Sequence, residues 1–311
     1  MNPTQHDSVV QSYNLNQQLY AISTYENYID HYTAVAIGCK STLYILKLRP
    51  KGFNIAESAH PDKPDVTTPA IVIQLPVDVI TDVSWSPNAL YDGKIALSFT
   101  NGSVCIISVN IESSGPSFNK VNYKKEWESN PTDFTRSVNK VAWQKASSMV
   151  FVGSRASSLG HYKLLCGCQD GSIKLYDLRK CLSTDDFSST ATATASARPV
   201  AVASGGTAAL TPGAPDAMTY TLAGAEGCRD VKFSLLQSHL FASVYENGML
   251  AIWSCLDKGD GAHAHSAPVG SSSSAGSAVH KPRCRLGAHT KSIMSVDWHP
   301  TTENVLATGG R

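Results

Sequence analysis

His289, Thr308, Asp170 and Asp177 are the residue types of a hydrolytic triad. In such a triad a hydroxyl attacks, an imidazole carries its proton and a carboxylate orients the imidazole. The chain contains no Gly-x-Ser-x-Gly nucleophile turn, no glycine-rich phosphate loop and no His-Glu-x-x-His. Its eight cysteines include no Cys-x-x-Cys pair, so no zinc-ligand spacing is present. Cys166 and Cys168 lie two apart in an apolar run, which places both on one face of a strand as small core residues. His263 and His265 sit among Ser, Ala and Gly and read as solvated loop residues. The candidate triad residues occupy fixed places in a repeat, and the repeat decides their role.

One alternating pattern returns four times: Val83-Ser84-Trp85, Val141-Ala142-Trp143, Val231-Lys232-Phe233 and Val296-Asp297-Trp298. Each reads as a strand with one buried side. A second apolar run follows, at 94–100, 162–169, 240–245 and 304–309. The first three of these runs end in Asn101-Gly102, Asp170-Gly171 and Asn247-Gly248, dipeptides that suit two-residue hairpin turns with positive φ. A third strand is expected at 104–109, 172–178 and 249–255, and a fourth at 71–77, 121–127, 217–222 and 283–286. A weaker first copy spans 20–23, 33–39 and 43–48. Units of four strands, labelled a to d, are the blades of a β-propeller. The predicted fold is therefore all-β, and Trp85, Trp143, Phe233 and Trp298 should be buried between blades.

The marker aromatics stand 58, 90 and 65 residues apart, against about 40–45 for a plain repeat. Two Ser/Thr/Ala/Gly-rich insertions, 183–217 and 257–282, account for much of the excess. They lack the apolar content to offset the entropy of ordering and are expected to be flexible. The repeat resumes after each, so neither is a domain boundary. The chain divides into a tail, 1–19, and the propeller, 20–311. The long connections (49–70, 110–120, 145–161 and the two insertions) are all a–b or c–d loops. They should share one face, leaving short b–c turns on the other.

The fullest signature is Gly287-Ala288-His289, then Asp297-Trp298, then Thr308-Gly309-Gly310. In WD repeats a His before strand a pairs with an Asp in the b–c turn, braced by Ser or Thr on strand b and Trp on strand c. His289 and Thr308 fill two of those places in the last unit. Asp170 and the variant dipeptide Tyr176-Asp177 serve the third unit, and Trp253-Ser254 serves the fourth. This is a structural network, and no catalytic residue, metal ligand or cofactor site is assigned.

Lys plus Arg number 26 and Asp plus Glu 25, a net charge of +1. That balance argues against nucleic acid and against a polybasic membrane surface as partners. No apolar run approaches the roughly 20 residues of a spanning helix, and the polar first 20 residues lack a signal peptide's apolar stretch. A soluble intracellular protein is expected.

Several segments resemble the WD repeat-containing protein 24 family: Arg136-Ser137-Val138-Asn139-Lys140-Val141, Gln169-Asp170-Gly171, Arg229-Asp230-Val231, Phe233-Ser234, Phe241-Ala242-Ser243, Glu246-Asn247-Gly248, Ala288-His289, Trp298-His299-Pro300 and 306–311. The resemblance runs from about Ala21 to Arg311 outside the insertions. It implies a seven-bladed propeller, of which this chain would supply about four and a half blades. A helical region and a zinc-binding, cysteine-rich end would follow. It further implies a scaffold subunit of GATOR subcomplex 2, the counterpart of the fungal SEA complex. That complex opposes the Rag GTPase-activating subcomplex and so promotes amino-acid-dependent signalling by mTOR complex 1. The implied partners are the other subunits and nutrient-sensing regulators. The implied place is the cytoplasm, with peripheral association to the lysosome or vacuole. The chain departs from the family at Phe134, where His is usual, and at Cys166 and Cys168, where Ser is usual; the bracing network of that blade should be degenerate.

An alternative reading starts from Leu175-Tyr176-Asp177-Leu178-Arg179, which fits the loose docking pattern of cullin-4 ubiquitin-ligase substrate receptors with Arg179 as the docking residue. Residues 1–311 alone are also expected to expose an open strand edge in the fifth unit and to aggregate unless further blades are supplied.

Overall fold

The computed structural model describes residues 15–27, 32–48, 71–75, 78–87, 93–109, 123–130, 132–145, 163–178, 217–256 and 280–311. Within them the chain forms four four-stranded antiparallel sheets and one two-stranded sheet. Blade 1 comprises β1 (Ala21–Asn27), β2 (Tyr32–Gly38), β3 (Thr42–Leu48) and β4 (Ile71–Gln74). Blade 2 comprises β5 (Ile80–Trp85), β6 (Lys94–Phe99), β7 (Val104–Val109) and β8 (Tyr123–Glu128). Blade 3 comprises β9 (Val138–Trp143), β10 (Lys163–Cys168), β11 (Ser172–Asp177) and β12 (Met218–Thr221). Blade 4 comprises β13 (Cys228–Phe233), β14 (Leu240–Tyr245), β15 (Met249–Ser254) and β16 (Cys284–Gly287). The fifth unit holds β17 (Ile293–Trp298) and β18 (Leu306–Gly310).

The b strands β6, β10 and β14 are almost continuously buried. They pair on both edges and pack on both faces, which selects unbroken apolar runs over alternation. The a strands β1, β5, β9, β13 and β17 pack side by side. Each apolar core lies between two blades. One joins blades 1 and 2 around Trp85 and Phe99, the next joins 2 and 3 around Trp143 and Tyr176. A third joins 3 and 4 around Phe233, Phe241 and Trp253, and a smaller one joins 4 and 5 around Trp298. Trp85, Trp143, Phe233 and Trp298 are each buried.

The b–c turns of blades 2, 3 and 4 differ from the two-residue form expected. Gly102 N–H donates to Phe99 O at 3.2 Å, and Phe99 N–H donates to Ser103 O at 3.1 Å, which encloses three residues. Gly171 and Gly248 make the same turn closure to Cys168 O and Tyr245 O. Only the glycines have positive φ, 85°, 86° and 77°. This is the three-residue loop in which a left-handed glycine ends a type I turn. Asn101 and Asp170 stabilise it by accepting the N–H two residues on, at 2.9 and 2.8 Å.

The last b strand begins at Leu306 and not at 304, because Asn304 is in the left-handed region at φ 59°. Strands β5, β13 and β17 each carry a register shift two or three residues before the marker Val. That bulge was not read from the sequence. It turns Asp82 and Asp230 toward the following blade. Most of both insertions, together with His263, His265 and Arg179, lies outside the described residues. Within 257–282, however, His280 is buried, its ring 4.4 Å from that of Tyr220, so this end of the second insertion belongs to the core.

Candidate functional site: the repeat network and the b–c face

The hydrogen-bonded network predicted for each blade is built from equivalent register positions. Strand b contributes Cys166, Ser243 and Thr308, opposite Val141, Val231 and Val296. Strand c contributes Tyr176 and Trp253, opposite Leu164 and Phe241. In blade 4, Trp253 Nε1 donates to Ser243 Oγ at 2.8 Å, and Ser243 Oγ donates to the Tyr245 hydroxyl at 3.0 Å. Tyr245 is fully buried, and burial pushes its pKa up, so the phenol stays neutral. In the fifth unit His289 Nε2 and Thr308 Oγ1 are 2.8 Å apart.

Blade 3 has a rewired network. Phe134, where the resemblance led to a His being expected, is buried. Tyr176 instead donates its hydroxyl to Asp133 Oδ2 at 2.7 Å. Lys174 pairs with Asp133 at 3.3 Å and stands 5.3 Å from the Phe134 ring centre. The turn carboxylate of Asp170 accepts from Thr135 Oγ1 at 2.8 Å and from the Ser172 N–H and hydroxyl. Burial opposes ionisation of Asp170, but the Ser172 and Thr135 hydrogen bonds outweigh it and hold the pKa below the usual carboxylate value. Asp177 is half-buried at the end of β11, opposite Lys163. His289 and Asp170 thus belong to separate networks in separate blades, each with its own hydroxyl partner.

A second set of contacts links consecutive a strands. Asp82 Oδ2 accepts the Val141 N–H at 3.0 Å, and its Oδ1 accepts from Lys140 Nζ at 2.9 Å. Asp230 repeats the first contact one pair of blades later. Its Oδ2 accepts the Val296 N–H at 3.0 Å and the Ser295 hydroxyl at 3.2 Å. Trp143 Nε1 reaches Ser84 O at 2.9 Å, and Trp298 Nε1 reaches Lys232 O at 3.1 Å. Burial raises the pKa of both aspartates. The Lys140 charge and the Val141 N–H oppose it at Asp82, and the Val296 N–H and Lys140 oppose it at Asp230.

The b–c face bears an open concavity of about 390 Å³ between blades 3 and 4. Arg136, Gln169 and Asp170 line one side, and Glu226, Gly227 and Glu246 the other. Arg229 holds Glu246 in an ion pair at 2.5 Å. A cavity of about 280 Å³ lies along the a strands, bounded by Trp85, Trp143 and Phe233 with Asp82, Lys140 and Lys232. Among the described residues no group of three His, Cys, Asp or Glu is placed to hold a metal. Among them, too, no helix is long and apolar enough to cross a membrane. The arrangement offers a mixed-charge surface for recognition.

The family described as WD domain, G-beta repeat matches residues 280–311, the stretch that holds His289, Trp298 and Thr308. The fold is an incomplete WD-repeat propeller. Its sequence is similar to that of GATOR2 complex protein WDR24 from Xenopus laevis, 27% identical over 233 residues, which is 74% of this chain and 19% of that protein. The proteins of the same name from Homo sapiens and Danio rerio are each 26% identical over the same share of both chains. The chain spans about a fifth of the length of these relatives.

Sequence reasoning about this propeller named His289, Thr308 and Trp253 as repeat positions and expected a degenerate network in the third blade, where the structure has Tyr176 bonded to Asp133. It missed Asp82, Lys140 and Asp230 as links between blades. A signal was present: Asp82-Val83 and Asp230-Val231 place a carboxylate at the same step before the marker Val, and Lys140 takes that step in blade 3. Arg179 falls outside the described residues, so the propeller's geometry bears on no docking role for it.

Proposed function

We propose that this chain is a WD-repeat scaffold subunit of a GATOR2-type complex. In this reading it promotes amino-acid-dependent signalling by mTOR complex 1, by opposing the complex that stimulates GTP hydrolysis on Rag GTPases. It acts in the cytoplasm and associates peripherally with the lysosome or vacuole. No cofactor is assigned to residues 1–311; the resemblance assigns zinc to a later region of the family. The observation that carries the reading is the similarity to proteins named GATOR2 complex protein WDR24, which extends over 74% of the chain. A propeller with a short-turned b–c face and a network of buried hydrogen bonds suits a scaffold, because function on this fold resides in surfaces and not in the fold itself.

The test is affinity purification of the full-length protein, tagged at its own locus, followed by mass spectrometry and by cell fractionation. Recovery of the other subunits of such a complex, with a blunted mTOR complex 1 response to amino-acid refeeding after depletion, is the expected result. Recovery of the cullin-4 adaptor in their place, lost on Arg179→Ala, would overturn the proposal in favour of a ubiquitin-ligase receptor.

A further inference from the structure

The links between a strands are not evenly distributed. Where blade 2 meets blade 3, the Asp82 carboxylate holds the Val141 N–H and Lys140, and Trp143 Nε1 holds Ser84 O. Thr81 Oγ1 adds a bond to Val138 O at the same junction. Where blade 4 meets blade 5, Asp230 and Trp298 repeat the first two devices. Where blade 3 meets blade 4 both devices are lost through residue identity. Lys140 occupies the Asp step, so blade 3 offers Val231 no carboxylate. The Val231 N–H turns to Asp230 of its own strand at 2.9 Å. Phe233 occupies the Trp step and has no indole N–H for Ala142 O.

What crosses the junction of blades 3 and 4 is different in kind. Asn139 Nδ2 donates to Cys228 O at 2.8 Å, and Gln144 Nε2 donates to Ser238 O. Lys140 attracts Asp230 without a hydrogen bond among those described. Among the described residues the junction is also packed by Ala142, Leu165 and Tyr220 against Val231, Phe233 and Phe241, with the His280 ring against Tyr220. Gly167 allows Cys228 to sit so close that a Cβ there would lie 2.9 Å from the Cys228 sulfur. The apolar cores at the 2–3 and 3–4 junctions are of similar size, so the difference lies in directional, charge-assisted bonds. Those resist sliding and opening, whereas apolar contact is non-directional.

We infer that the junction between blades 3 and 4 is a built-in hinge, across which blades 2 and 3 move as one body and blades 4 and 5 as another. The 390 Å³ concavity on the b–c face straddles this junction, so opening there changes the spacing of Arg136 and Asp170 from Glu226 and Glu246. The hinge is independent of which complex the protein joins.

Two native thiols report on the two junctions. Cys166 is buried in the core between blades 2 and 3, and Cys228 in the core between blades 3 and 4; both are fully enclosed. Under native conditions, time-resolved alkylation of the full-length protein with iodoacetamide, read peptide by peptide by mass spectrometry, should modify Cys228 before Cys166. Phe233→Trp restores a donor for Ala142 O and should slow Cys228 by about five-fold, the worth of one net hydrogen bond, with Cys166 unchanged. Trp143→Phe should speed Cys166 by a similar factor, and it keeps the test alive if Phe233→Trp does not fold. Equal rates at the two thiols, Cys166 reacting first, or no change in their ratio in the variants would overturn the hinge.

Discussion

Lys140 is the residue on which the polar chemistry of the a strands turns. It is the counter-ion bonded to Asp82 and the cation that faces Asp230 from the other side. Each carboxyl has a folded pKa above its unfolded value of 3.8. Together they favour the folded state most below that pH, and progressively less as pH rises through the raised values. Lys140→Met removes a charge that favours the ionised form of both and should raise both pKa values further. Breaking a fully buried pair costs about 3–5 kcal/mol. The Lys140 side chain is 30% exposed, so roughly 2 kcal/mol is expected here. Thermal melts at pH 8 and pH 5 check this: the loss in Tm should be larger at pH 8 than at pH 5, because carboxyl pKa values raised further favour protonation as the pH falls. An equal loss at both values would mean that Lys140 acts by packing alone. The thiols tell a simpler story. Burial pushes the pKa of Cys105 to about 12 and that of Cys168 to about 11, so both are protonated and unreactive while the blades stay closed.

At the scale of the hairpin, the b–c glycines are constrained twice. Gly248 has φ 77°, and a Cβ built there would collide with the carbonyl of His289 in the next loop. Gly171 is placed the same way under Glu226 O, at 2.8 Å. A left-handed conformation alone costs an L-residue about 1–2 kcal/mol, and the carbonyl clash adds to it. Gly248→Ala should therefore lower stability to urea by about 2 kcal/mol or more. Gly287→Ala, where a Cβ meets nothing within 4 Å, should stay within about 0.5 kcal/mol. Comparable midpoints for the two variants would refute the packing argument. The same hairpins show what was legible beforehand. The b and c strands were readable because continuous apolar runs flank an Asn-Gly or Asp-Gly turn within about ten residues. The loop length was not, since one dipeptide serves both the two- and three-residue forms. Asp82 and Asp230 were opaque for another reason: their partners Val141 and Val296 lie 59 and 66 residues further along the chain. The Tyr176–Asp133 bond spans 43 residues, so no local pattern announces it. Phe134 and Cys166, by contrast, stood out as departures from the family that the sequence resembles.

Across the whole molecule, the repeat tolerates long insertions because each blade closes on itself before and after them. Strands β11 and β12 pair directly, with Leu175 opposite Met218 and Ser172 opposite Thr221. The described ends of the connection between them, Leu178 and Ala217, therefore follow and precede neighbouring strands, and a short linker can join them. For a flexible loop each doubling of length adds only about 0.6 kcal/mol of closure cost. In the full-length protein, replacing 183–214 by a four-residue Gly-Ser linker should leave Tm unchanged or slightly raised. The second insertion has a sharper boundary. His280 stacks on Tyr220, which packs in turn against Phe241 and Trp253 at 5.0 and 5.5 Å. That cluster lies in the core between blades 3 and 4. Replacing 258–277 by the same linker should be as harmless as the first deletion, whereas a replacement carried through His280 should lower Tm by several degrees. The harmful variant should fail at the core between blades 3 and 4, so Cys228 should become more accessible to alkylation while Cys166 changes little. Equal melting temperatures for the two lengths of replacement would show that His280 rests on the propeller without supporting it.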